Sequence, residues 1–96
     1  MIDIIVLDVD GGTMLEECLA SIRAQSVPAR ILVFDNGSNT PTRDATVRSE
    51  TNLGFAGGAN AALHHSSAPY VALVNNDVVL QPDWLEQVRV ALDRDA

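Results

Sequence analysis

Lysine is absent from the 96-residue sequence, and all six basic side chains are arginines. That excludes a Schiff-base nucleophile and the phosphate-gripping lysine of a P-loop. Cysteine occurs once, at Cys18, so no internal disulfide forms and a reducing compartment, the cytoplasm, is expected. Aromatic residues make up only 4%, which leaves Val, Ile, Leu and Ala to build the core. No apolar run approaches the roughly 20 residues of a membrane span, and Met1-Ile2-Asp3 carries no basic signal-peptide region. Positive charge is scarce: 13 acidic residues against six basic ones give a formal charge of −7. Such a surface repels phosphate backbones, which argues against general nucleic-acid binding and adhesion to anionic membranes. What is present is 47% hydrophobic and 20% charged, an ordinary globular balance. At this length residues 1–96 make a single domain with one core.

Apolar, β-branched runs at residues 3–7 (DIIVL), 30–34 (RILVF) and 70–74 (YVALV) read as buried strands. Between the first two, Leu15, Cys18, Leu19 and Ile22 recur at helical spacing, as far as about Gln25. Thr13-Met14-Leu15-Glu16 has the form of a capping box for that helix. A weak strand is expected at residues 45–48, an alanine-rich helix from about Ala59 to His65, and a brief extended segment at 78–80. Pro82-Asp83 open a last helix with Leu85, Val88, Ala91 and Leu92 on one face. The alternation predicts an α/β fold: a mostly parallel, Rossmann-like sheet with helices on both faces.

Each strong strand runs into acid or amide: Asp8 and Asp10, then Asp35-Asn36, then Asn75-Asn76-Asp77. In an open parallel sheet these positions share the carboxyl edge, where ligands bind. Asp and Asn also simply stop strands and start turns, so each position has that plainer account. Taken together, carboxylates and amide oxygens without lysine suit a hard divalent cation, Mg²⁺ or Mn²⁺. Gly54-Phe55-Ala56-Gly57-Gly58 precedes a helix and has backbone amides to offer a phosphate, but the spacing is not G-x-G-x-x-G and a tight turn accounts for it equally. His64 and His65 are adjacent, so they point about 100° apart on a helix and cannot share a metal from one face. Cys18 lies on the apolar helix face as a core residue.

Four segments appear in register: Glu16 to Ser26 (EECLASIRAQS), Val33-Phe34-Asp35-Asn36-Gly37-Ser38, Asn52 to Asn60 (NLGFAGGAN), and Leu73-Val74-Asn75-Asn76-Asp77 with Pro82-Asp83-Trp84-Leu85. Together they resemble the N-terminal, nucleotide-sugar-binding half of a family 2 inverting glycosyltransferase with the GT-A fold, in its rhamnosyltransferase-like branch. The resemblance implies a nucleotide-diphospho-sugar as partner and hexosyl transfer as the reaction. It places nucleobase and ribose contacts on residues 7–10, with Leu7, Val9 and Asp10 named, and on Asp35 and Asn36. It places further sugar-nucleotide contacts on Asn52, Gly57, Asn60 and Asn76, and a divalent cation on Asp77. Val9 and Asp10 stand where the family has an aromatic residue and Asn, which removes a stacking surface and adds charge. The family's catalytic base lies in its C-terminal half, so no catalytic residue is assigned here. The expectation is a partial domain, not catalytically complete alone and self-associating.

Two other readings stand beside this one. Asp8-Val9-Asp10-Gly11-Gly12-Thr13 resembles the first motif of Mg²⁺-dependent haloacid-dehalogenase-like phosphatases, with Asp8 as nucleophile and Asp10 as acid/base. The extra glycine and the missing lysine depart from that pattern. The third reading is a non-catalytic α/β assembly module.

Overall fold

Strand β1 (Ile2–Asp8) is buried along its whole length in the computed structural model, which describes residues 2–95. Burial on both faces explains its near-continuous Ile, Val and Leu content. The chain continues through α1 (Thr13–Arg23), β2 (Arg30–Asn36), β3 (Val47–Ser49), α2 (Gly54–Leu63), β4 (Tyr70–Asn75) and α3 (Trp84–Asp95). The four strands form one sheet in the order β3-β2-β1-β4, every pair parallel.

Side chains alternate across that sheet. Ile2, Ile4, Val6, Val33 and Val74 pack with Leu15, Cys18, Leu19 and Ile22 of α1 and Leu85 of α3. Ile5, Leu7, Leu32 and Phe34 pack on the other face with Ala62 of α2. The result is the expected three layers, with β1 at the centre of both apolar clusters.

One buried charge lies at the amino end of the sheet. Asp3, 2% exposed, pairs in register with Arg30. It accepts hydrogen bonds from Arg30 Nε (3.1 Å) and Nη2 (2.6 Å) and from the Ser66 hydroxyl (2.6 Å). The Arg30 guanidinium, aided by Ser66, holds the Asp3 carboxyl below its ordinary value against the opposing effect of burial.

The structure corrects four local expectations. Thr13 is the first residue of α1, not its cap: Gly12 occupies the N-cap at φ 53°, its carbonyl accepts from the Glu16 amide, and no side chain caps the helix. The capping box therefore does not form. Helix α2 begins at Gly54, so the glycine run is its first turn and not a preceding loop. Residues 78–80 are irregular, and α3 starts at Trp84 after a turn at Pro82-Asp83. The weak strand is real but lies at Val47–Ser49. It is reached from β2 through residues 37–46 alone, without the helix that usually fills a parallel crossover.

Candidate functional site

Strand register puts the polar ends together. Asp8 pairs with Asp35, and Leu7 pairs with both Phe34 and Asn75, so the ends of β1, β2 and β4 share one edge. Because the sheet is parallel, that edge is its carboxyl edge, where open α/β sheets bind ligands.

The period of two then divides these residues between two hollows. On the α2 side, a cleft of about 430 Å³ is lined by Leu7, Val9, Asn36, Asn52, Gly54, Phe55, Asn75, Asn76 and Asp77. On the α1 side, a groove of about 750 Å³ runs past Asp8, Asp10, Gly11, Leu15, Leu19, Val33 and Thr42. Asp8 and Asp35 share the parity of Val6 and Val33, whose side chains face α1; Leu7 and Asn36 share that of Ile5 and Phe34, which face α2. The acidic residues are thus on one edge but do not converge on one point. Of the sequence-named contacts, Leu7, Val9, Asn36, Asn52, Asn76 and Asp77 meet in the cleft. Asp10 lies on the groove, and Asp35, Gly57 and Asn60 line neither hollow. Gly57 sits in the first part of α2, and Asn60 is exposed further along it.

Two carboxylates serve as anchors. Asp8, 2% exposed, accepts from the Gly11 amide (3.1 Å), Asn76 Nδ2 (2.9 Å) and the Thr42 hydroxyl (2.6 Å). Asp35, fully buried, accepts from the amides of Ser38 (2.9 Å) and Thr42 (2.8 Å) and is paired with Arg48. Burial opposes its charge, but the Thr42 and Ser38 amides, the Ser38 hydroxyl and Arg48 outweigh this and hold its carboxyl far below the usual range. Thr42 bonds both anchors and so fixes the crossover to the strand ends. Asp10 adopts φ 50° and accepts from the amides of Asn39 (3.0 Å) and Thr40 (3.4 Å).

Asn36 shapes the cleft wall. Its Oδ1 accepts from the Leu53 amide (3.0 Å), and its Nδ2 donates to the Gly54 carbonyl (3.0 Å). Asn52 Oδ1 accepts from the Gly54 amide at 2.8 Å, closing the turn into α2. Gly58 is buried directly beneath Asn36.

Among the described residues Asp77 is the one ionisable side chain on the cleft wall, accompanied by the neutral oxygen donors of Asn75 and Asn76. No group of three or more His, Cys, Asp or Glu residues gathers in metal-binding proximity among the described residues. This donor set fits a cation held by one carboxylate and the ligand's own phosphates, the usual mode of Mg²⁺. It does not form a protein cage.

The sequence matches the model of glycosyl transferase family 2 over residues 4–96. The chain belongs to that family. No curated protein matches the sequence. Among solved structures, this family 2 chain superposes on S. aureus TarS 1-349 in complex with UDP with a TM-score of 0.83 at 23% identity, covering 97% of this chain and 32% of that one. The complex of TarS 1-349 with UDP-GlcNAc gives a TM-score of 0.83 at 21% identity, covering 97% and 31%. The fold is therefore shared, and the chain spans about a third of the length of these TarS chains. No helix among the described residues is long and apolar enough to cross a membrane.

Family membership displaces the phosphatase reading, and the geometry explains why. Both Asp8 oxygens are taken up by three donors in a buried position, which leaves no free nucleophile. The sequence reading missed Thr42 and Arg48 as organisers of the site and Ser38 as an anchor partner; it placed Asn75 on the ligand edge and Phe55 in the glycine segment without naming either as a contact. Parity counted back from the strand ends gives Asn75; nothing in the crossover sequence distinguishes Thr42.

Proposed function

We propose that these residues are the donor-binding half of an inverting hexosyltransferase. The observation that supports this most is the cleft at the carboxyl edge, which gathers Leu7, Asn36, Asn52, Asn76 and Asp77 from four separate parts of the chain. Val9 and Phe55 supply apolar surface for a base, being 39% and 61% exposed at the rim. The Asn36-held turn fixes Asn52 and Gly54 on the wall that would meet ribose or sugar hydroxyls. Asp77 would hold Mg²⁺ or Mn²⁺ together with the diphosphate, and the cation would offset the charge of the leaving nucleoside diphosphate. TarS, crystallised with UDP and with UDP-GlcNAc, lends this ligand class to the reading.

Inverting transfer needs a base to deprotonate the acceptor hydroxyl as the sugar–phosphate bond breaks. Asp8 and Asp35 are buried and hydrogen-bonded, Asp10 is turned onto the Asn39-Thr40 amides, and Asp77 would be engaged with the cation. None of these four is free to take that proton, and the resemblance to family 2 implies a base supplied by a C-terminal half. Calorimetric titration with UDP, UDP-GlcNAc and dTDP-rhamnose should show binding with Mn²⁺ that weakens about tenfold or more with EDTA or in Asp77→Asn. The rhamnosyl donor tests the rhamnosyltransferase-like branch. Absence of nucleotide binding in the presence of Mn²⁺ would overturn the reading.

The proposal includes self-association. β4 is the sheet margin, carries no charge from Tyr70 to Asn75, and leaves Tyr70 42% and Leu73 39% exposed. Light scattering at moderate salt is expected to give a dimer or larger species; a monomer at high concentration removes this part.

A further inference from the structure

We infer that Asp8 is a positioning residue that fixes the side-chain amide of Asn76, so that the oxygen and not the nitrogen is presented to the cleft beside Asp77. The inference rests on the reading of that cleft as the nucleotide-sugar site. Asp8 belongs to the opposite side of the sheet edge, but Asn76 spans the gap: it lines the cleft and donates Nδ2 to Asp8 Oδ1 at 2.9 Å.

The chemistry of Asp8 decides the orientation. A carboxylate only accepts hydrogen bonds, whereas a side-chain amide offers either a donor or an acceptor depending on which way it is turned. Turning the Asn76 amide over would set its oxygen against Asp8 Oδ1, two acceptors in contact at a site only 2% exposed. A buried charge that loses a hydrogen bond and gains a facing acceptor is penalised twice, enough to hold the amide almost entirely in one orientation.

Asp8 is itself held. The Thr42 hydroxyl occupies Oδ2 at 2.6 Å, and the Gly11 amide shares Oδ1 at 3.1 Å. The close approach needs glycine: a Cβ on Gly11 would overlap Asp8 Oδ1 and lie 2.7 Å from Asn76 Nδ2. With Nδ2 turned to Asp8, Oδ1 is the acceptor that Asn76 has left for the cleft, which Asp77 also lines.

At Asn76 the cleft wall consequently presents an acceptor oxygen beside the acidic Asp77. It takes a ligand hydroxyl or a cation and turns away an uncompensated phosphate oxygen. A free amide would accommodate either, so Asp8 converts an ambivalent side chain into a selective one.

The test has two arms. In ¹⁵N NMR of the purified chain, with the Asn76 side-chain signal assigned through Asn76→Ala, one NH₂ proton should exchange slowly and lie downfield. Asp8→Ala should abolish both features. In Mn²⁺-supported titrations with UDP, Asp8→Ala and Asn76→Ala should each weaken binding about tenfold, and the double variant should bind no worse than Asn76→Ala alone. Asp8→Asn retains an acceptor and should recover part of the affinity while melting near the wild type, which covers the case in which Asp8→Ala fails to fold.

A wild-type Asn76 amide that exchanges freely, or that is unchanged by loss of Asp8, overturns the inference. So does a double variant about a hundredfold weaker than the wild type, the additive result. If the amide signature is present and no nucleotide binds, the positioning stands and the donor-binding proposal fails instead.

Discussion

Asp35→Ala is expected to destabilise the domain by about 3–5 kcal/mol, the usual cost of stripping one partner from a buried ion pair. Small domains have only about 5–15 kcal/mol in total, so the variant should be largely unfolded at modest urea concentration. The cause is local. Removal of the carboxylate leaves the amides of Ser38 and Thr42 without their acceptor and the partly buried Arg48 without its counter-charge. Asp35→Asn keeps one oxygen but turns an NH₂ group toward donors, and should cost about 1–3 kcal/mol. The same residue predicts a pH dependence. Its folded carboxyl titrates below the unfolded value of about 3.9, so its contribution is fully present above that value and is lost as pH falls toward the folded one. Asp3, also lowered, adds in the same direction. Urea midpoints should therefore hold level from neutrality to about pH 5 and then fall, with a shallower fall in Asp35→Asn. Equal slopes in the two proteins would show that Asp35 is not the group responsible.

Gly58→Ala should invert the normal helix rule. Inside a helix this exchange ordinarily stabilises by about 0.5–1 kcal/mol, because alanine has less chain entropy to lose. Here the new Cβ would lie 2.6 Å from Asn36 Nδ2 and 3.0 Å from its Cγ, and Asn36 is only 3% exposed with three polar contacts to keep. A loss of about 1–3 kcal/mol is expected, typical of overpacking. Because Asn36 holds the Leu53-Gly54 turn, nucleotide affinity should fall with stability. Asn60→Ala, on the exposed part of the same helix, serves as the comparison and should stay within about 0.5 kcal/mol of the wild type. Thermal melts of the two variants decide the point: a stabilised Gly58→Ala protein would mean that Asn36 has room to move.

These expectations mark where the sequence was readable. The apolar runs that give way to polar residues at Asp8, Asp35-Asn36 and Asn75 are the three long strands, β1 and most of β2 buried and β4 a half-exposed margin. Element order, parallel pairing and the ligand edge all followed from them. The side of that edge did not follow, because one residue of slip at a strand end exchanges faces. Asp35 and Asn36 show the effect: read together as contacts, they point to opposite layers, one as an anchor and one as a cleft wall. The start of α2 was obscured by glycine, whose low helix propensity reads as loop. Gly58 is there because Asn36 leaves no space for a side chain, a tertiary requirement that overrides propensity. Thr13-Met14-Leu15-Glu16 failed as a cap because Gly12, free to take φ 53°, had already turned the chain.

The helix-free crossover between β2 and β3 has two unequal halves. From Gly37 to Thr42 its spacing is dictated at both ends, since Ser38 must meet Asp35 while Thr42 reaches Asp35 and Asp8 together. Past Thr42 the constraint lapses for two residues, Arg43 and Asp44, which face solvent with side chains 91% and 87% exposed and share a contact of 4.0 Å. Thr46 then ties back to Val33 through two hydrogen bonds. Extra residues grafted between Arg43 and Ala45 would hang from the surface like a flag, whereas a single deletion before Thr42 would pull the two anchors out of step. The chain therefore carries its own splice point, a few residues from its most tightly measured segment.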